Sequence, residues 1–127
     1  MTAWAPRAGA VLLALVASAH AAAIGARLRP GSWQARLCVA TAPAPPSCGP
    51  ALARIGQDGQ LRVRVDDIVY RLTLRSTQVD IVLMHGAMQL DEFTTTYEWS
   101  GRTLRFRDDE HAARYEVRFP ETGPAPR

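Results

Sequence analysis

The chain has 127 residues, of which 47% are hydrophobic and 21% are charged, and its formal net charge is +3. This length allows one small domain with a modest core. All 15 basic residues are arginines. They alternate with acidic and apolar residues and form no block in the sequence, which argues against a nucleic-acid-binding protein.

The first 23 residues have the three parts of a secretory signal peptide. A short start containing Arg7 precedes an uncharged apolar run at residues 8–17, and small residues flank candidate cleavage sites after Ala21 and Ala23. No basic stop-transfer cluster follows, so we expect cleavage and no remaining membrane span. Lysine and asparagine, which have A-rich codons, are both absent. The sequence therefore predicts a periplasmic or secreted bacterial protein.

Residues 24–120 are predicted to form a single antiparallel β domain, followed by a flexible tail at 121–127. Apolar and polar residues alternate through short segments separated by turn sequences such as Gly56–Gly59 and Ser100-Gly101. About eight such strands favour a small closed barrel, with an open sandwich as the alternative. The positions predicted to face inward are Trp33, Leu37, Leu61, Val63, Tyr70, Leu72, Ile81, Leu83, Leu104, Tyr115 and Val117.

Cys38 and Cys48 are the only cysteines in the chain. In an oxidising compartment, two cysteines in a small domain indicate a disulfide. Their spacing is too long for redox chemistry of the CxxC type. The bridge is expected outside the core, where it would brace the proline-rich loop at residues 41–47. We expect this loop to contact a partner, because a rigid loop loses little freedom on binding.

Gly31-Ser32-Trp33 opens the first predicted strand and resembles the Gly-x-Trp sequence that begins the lipocalins. The resemblance implies a barrel whose bottom is closed by the tryptophan. In size the mature chain is nearer to the compact periplasmic barrels that inhibit proteases or lysozymes. Those barrels are similar to it in being secreted, disulfide-linked and all-β.

Two segments are candidate binding sites. Phe93, Tyr97 and Trp99 share one face of a strand, where they fill the core or line a ligand-binding mouth. Met84, His85 and Met88 combine thioether and imidazole groups, which suit copper. The alternative for these two methionines is ordinary apolar packing.

No catalytic constellation is present in the sequence. There is no GxSxG segment, and His85 and His111 have no diagnostic spacing to a serine or an acid. Neighbouring acids on a strand point to opposite faces. We therefore assign the acidic runs to turns and the surface: Asp66-Asp67, Asp91-Glu92 and Asp108-Asp109-Glu110.

These observations predict a non-enzymatic binding protein without a cofactor. Its partner is expected to be a protein or a small apolar ligand. The most concrete form is an inhibitor of an extracytoplasmic hydrolase. The alternative is a carrier of a small molecule or of copper.

Overall fold

The computed structural model describes residues 28–121. The predicted signal peptide lies outside these residues, as does the predicted tail except for Glu121. The described chain consists of eight strands: β1 Gly31–Thr41, β2 Ser47–Ile55, β3 Gln60–Val65, β4 Ile68–Leu74, β5 Gln78–His85, β6 Met88–Ser100, β7 Thr103–Asp108 and β8 Ala113–Arg118. Each strand pairs antiparallel with the next, and β1 also pairs with β8. The predicted closed barrel is therefore confirmed.

Within residues 28–121 no helix is long and apolar enough to cross a membrane.

The alternation of the sequence places one side of every strand in a common core. All the positions predicted to face inward are buried there or pack against buried residues. Tyr70 and Leu83 are half-buried, whereas Leu61, Val63 and Ile81 have no exposed surface. Period-2 patterning therefore placed each of these predicted side chains on the inner side of the barrel.

One end of the barrel is closed around Trp33, which is 2% exposed. Its Nε1 donates to the carbonyl oxygen of Arg29 at 2.9 Å, and the Phe119 ring packs edge-on at 6.0 Å. The Arg102 guanidinium lies 5.4 Å from the Trp33 ring centroid, and its Nε donates to the carbonyl oxygen of Pro120 at 2.8 Å. Trp33 thus occupies the position implied by the resemblance of Gly31-Ser32-Trp33.

The opposite end, called the open end below, carries the four turns at residues 42–46, 66–67, 86–87 and 109–112. Here the wall is split between β6 and β7. These two strands pair at four positions only, from Tyr97 opposite Phe106 to Ser100 opposite Thr103. The earlier part of β6 pairs with β5. Asp91, on β6, consequently faces the end of β7 across a gap in the hydrogen-bonded wall.

Candidate functional site

A groove of about 550 Å³ lies on the outside of the barrel, over β6, β7, β8 and β1. Its floor includes a row of directly opposed residues: Glu98 opposite Arg105, Arg105 opposite Glu116, and Glu116 opposite Cys38. Arg105 Nε lies 3.0 Å from Glu116 Oε2, and Arg118 Nη2 lies 2.7 Å from Glu116 Oε1. We call Glu98, Arg105, Glu116 and Arg118 the paired face, because acids and bases alternate across it.

Glu116 is the centre of the paired face. The hydrogen bond from Arg118 lowers the pKa of the Glu116 carboxyl, with smaller contributions from the charges of Arg118 and Arg105, while partial burial opposes the shift. The carboxylate is therefore held in its charged form by its neighbours. These contacts explain the charges of Arg105, Glu116 and Arg118 within the fold itself, whereas Arg107 lies opposite Arg114 elsewhere in the groove.

A second outer surface, over β2, β3 and β4, has a different arrangement. Arg54 is directly opposite Arg62, and Arg62 is directly opposite Arg71. All three are exposed, as is Arg64 on the same outer side of β3. Across residues 28–121 none of these four arginines has an ion pair or a side-chain hydrogen bond. We call Arg54, Arg62, Arg64 and Arg71 the basic face.

The arginines of the basic face repel one another. Adjacent strands are about 4.8 Å apart, so the Cα atoms of Arg54, Arg62 and Arg71 lie in a row over about 10 Å. Like charges directly opposite each other on neighbouring strands are destabilising. Leu52 lies opposite Arg64 and is 40% exposed, which adds an apolar contact beside the charges.

Our sequence reasoning missed the basic face because Arg54, Arg62 and Arg71 are separated along the chain. The signal was the hairpin geometry. The two-residue turn at 66–67 places Arg62 opposite Arg71, and the turn at 56–59 places Arg54 opposite Arg62. Counting outward from each turn would have aligned the three arginines.

The predicted disulfide between Cys38 and Cys48 is present. The two cysteines are cross-strand partners on β1 and β2. Cys38 lies on the outer side of β1, opposite Glu116, so the bridge lies outside the barrel core as predicted. The loop at residues 42–46 is exposed, and Pro46 borders the outer groove. Its contact with a partner stays a prediction.

Phe93, Tyr97 and Trp99 are half-buried on the inner side of β6 and pack against the core. The Tyr97 hydroxyl donates to the carbonyl oxygen of Arg75, and burial raises the pKa of this phenol. The Trp99 ring lies 6.2 Å from that of Phe119. Core packing accounts for these contacts, and a ligand-binding role for the three residues stays a prediction.

The structure brings together only two of the three residues in the predicted copper site. His85 is directly opposite Met88 across the β5–β6 hairpin, and both are exposed. Met84 is opposite Gln89, beyond a register shift at Leu83 and Met84. Since neighbouring residues on a strand point to opposite sides, Met84 and His85 lie on different sides of the hairpin. Copper binding here stays a prediction.

A further group of polar side chains meets at the open end. One ligand atom each from Asp91, Asp108 and His111 lies within 4.8 Å of the others. His111 Nδ1 is 2.7 Å from Asp108 Oδ2 and 3.8 Å from Asp91 Oδ2. The hydrogen bond with Asp108 raises the pKa of the His111 imidazole, assisted by the charges of Asp108 and Asp91. We call these three residues the mouth cluster.

Our assignment of Asp108 to a turn or the surface was wrong. Asp108 is the last residue of β7 and continues the inward series of Leu104 and Phe106, so it is only 4% exposed. His111 supplies the partner that allows the carboxylate to be buried. The adjacent acids Asp109 and Glu110 hid this position in the sequence, although the inward phase of β7 pointed to it.

Neither a family model, nor a curated protein, nor a solved structure matches this chain.

Proposed function

We propose that the protein is a non-enzymatic binding protein whose basic face engages an acidic surface of another protein. In its most concrete form it inhibits an extracytoplasmic hydrolase. The observation that carries the proposal is the row of Arg54, Arg62 and Arg71, directly opposed on three strands without an acid between them.

This row is unfavourable in the isolated protein and favourable in a complex. Repulsion between opposed arginines reduces stability, and a carboxylate-bearing partner would remove that repulsion. Arginine binds carboxylates through two parallel hydrogen bonds, and it is enriched at the energetic centres of protein interfaces. The half-exposed Leu52 adds the apolar contact that such a centre needs.

The close packing of the interior near the closed end supports binding on the outside of the barrel. The inner layer near the closed end consists of side chains with no exposed surface, including Leu61, Val63, Leu74, Val79 and Ile81. A carrier of a small apolar ligand would instead need a cavity large enough to enclose that ligand. The backbone that presents the basic face is held by pairing of β2, β3 and β4, so no loop has to be ordered on binding.

Inhibition assays test the proposal. The full chain is assayed against a panel of extracytoplasmic proteases and lysozymes, together with Arg62→Glu and the charge-matched control Arg105→Glu. We expect inhibition of at least one hydrolase, weakened by about tenfold or more in Arg62→Glu, a loss of about 1.4 kcal/mol. Arg105→Glu should retain inhibition within about threefold, a change of about 0.6 kcal/mol.

Two results would contradict the proposal in different ways. No inhibition across the panel would remove the inhibitor form. An equal loss in the two variants would show that net charge, and not the arrangement of the basic face, drives binding.

The copper carrier remains the second candidate, because His85 and Met88 are exposed cross-strand partners. Such a carrier should bind Cu(I), and His85→Ala should abolish binding. Unchanged Cu(I) affinity in that variant would eliminate this candidate.

A further inference from the structure

We propose that the mouth cluster of Asp91, Asp108 and His111 is a binding site for a divalent transition-metal ion such as Zn²⁺. Three candidate ligand atoms already lie within 4.8 Å of one another, and they come from two separate parts of the chain, β6 and the end of β7 with the turn after it. This site is separate from the basic face and does not depend on the function proposed above.

The spacing of the side chains fits one small ion. Zn²⁺ binds histidine nitrogen and carboxylate oxygen at about 2.0–2.2 Å, which places two ligands of a tetrahedral ion about 3.4 Å apart. The distances from His111 Nδ1 to Asp108 and Asp91 are 2.7 Å and 3.8 Å, on either side of that value. Since no pair is more than 4.8 Å apart, each separation differs from this ligand–ligand distance of about 3.4 Å by at most about 1.4 Å.

The donor types favour a transition metal over Ca²⁺ or Mg²⁺. Calcium and magnesium prefer all-oxygen sites, whereas imidazole suits zinc and its neighbours. Two carboxylates would neutralise the charge of the ion. Three protein ligands would leave one position for water.

Tyr115 supplies a further polar group near the mouth cluster. It is only 9% exposed, and its hydroxyl has no hydrogen bond to any residue in the described range 28–121. No buried side-chain oxygen in this range lacks a partner, so the hydroxyl is the part of the side chain that reaches solvent. Burial raises the pKa of Tyr115 to about 12, with contributions from Tyr70, Asp108 and Asp91. The phenol therefore lies within electrostatic reach of both carboxylates and offers a free donor at the mouth.

The position of the mouth cluster means that a bound ion would stabilise the barrel. Asp91 is on β6, Asp108 ends β7, and His111 lies in the turn before β8. These residues face each other across the part of the wall where β6 and β7 do not pair. An ion held by all three would join the two sides of the split and stabilise the barrel by binding the folded state.

Isothermal titration calorimetry with ZnCl₂ tests the site, using the full chain without a histidine tag. We expect one Zn²⁺ per chain and a rise in the melting temperature. Loss of an outer partner of a metal ligand already costs about 10–100-fold in affinity. We therefore expect His111→Ala and Asp91→Asn each to weaken binding by about tenfold or more.

Asp67→Asn is the matched control for Asp91→Asn, since Asp67 is also an acid at the open end and is exposed. It should leave zinc affinity unchanged within about twofold, because a twofold change is only about 0.4 kcal/mol. Asp91 is half-buried and is replaced by an amide of the same shape, whereas His111→Ala removes the partner of the buried Asp108 carboxylate. The melting temperature without zinc verifies that both variants are folded. Three results would overturn the proposal: no binding at millimolar Zn²⁺, unchanged binding in His111→Ala and Asp91→Asn, or equally tight binding of Ca²⁺.

Discussion

The paired face and the basic face use the same kind of side chain on the same barrel, but their charges are arranged in opposite ways. On the paired face Arg105 lies between Glu98 and Glu116. On the basic face Arg62 lies between Arg54 and Arg71. The number of arginines on a surface therefore does not show whether they stabilise the fold. The identity of the cross-strand neighbours decides that.

This difference in neighbours separates charged residues that have a partner within the fold from charged residues that have none. Glu116 binds Arg105 and Arg118, and these contacts account for all three charges. No contact among residues 28–121 accounts for the charges of the basic face. A surface that weakens the protein without compensation is the better candidate for an interface.

The largest expected change in stability comes from removing the disulfide, and it should not depend on the charges of either face. Replacing Cys38 and Cys48 together by serine should lower the free energy of unfolding by about 2–3 kcal/mol, from the entropy of closing a short loop. The basic face should remain intact, because β2–β3 pairing and not the bridge aligns Arg54 with Arg62. Urea denaturation measures the loss. Unchanged stability would show that the bridge does not constrain the unfolded chain.

A smaller effect tests the sign of the charge arrangement directly. Arg62→Glu places an acid between two arginines and should raise the free energy of unfolding by about 0.5–1 kcal/mol. Arg105→Glu creates a row of three acids and should lower it by a similar amount. Urea denaturation at low salt measures both, and high salt should shrink both changes. If the free energy of unfolding changed in the same direction in both variants, the two faces would not differ in the way described.

The smallest effect concerns the acid stability of the paired face. Arg118 and Arg105 hold the folded-state pKa of Glu116 below its ordinary value of 4.5. The carboxylate therefore contributes stability above that pH, and this contribution is lost as the pH falls through the lower folded-state pKa. Because Glu116 is partly exposed, we expect only a few tenths of a kcal/mol.

Glu116→Gln should remove this part of the acid dependence. The stability difference between wild type and variant should be full near neutral pH and shrink below about pH 4.5, the ordinary pKa of a glutamate. Denaturation curves at several pH values measure it. Arg62→Gln is the control, since it changes no carboxylate contact. A constant difference for Glu116→Gln at all pH values would contradict the shifted pKa.

The fold was more predictable than the sites because alternation is a local property. The phase of Leu61, Val63, Leu72 and Ile81 could be followed along each strand, and it placed each of them inside. Cross-strand alignment depends on where each turn begins. The arginine rows became visible only once the turns at 56–59 and 66–67 had fixed the register.

The mouth cluster shows a second limit of the sequence. Asp91, Asp108 and His111 meet only because the barrel closes and places β6 beside the β7–β8 turn. The alternation in β7 could have predicted that Asp108 faces inward, but no local pattern predicts its proximity to Asp91. Closure of the barrel therefore creates this candidate site, which lies beside the split between β6 and β7.

The role of the basic face is tested most directly by binding of an acidic probe to wild type, Arg62→Glu and Arg105→Glu. Calorimetry with poly-L-glutamate at low salt measures it, and both variants change the net charge equally. We expect wild type to bind, Arg62→Glu to lose about tenfold or more in affinity, and Arg105→Glu to stay within about threefold of wild type. Equal affinities in the two variants would contradict the claim that the basic face is the binding surface.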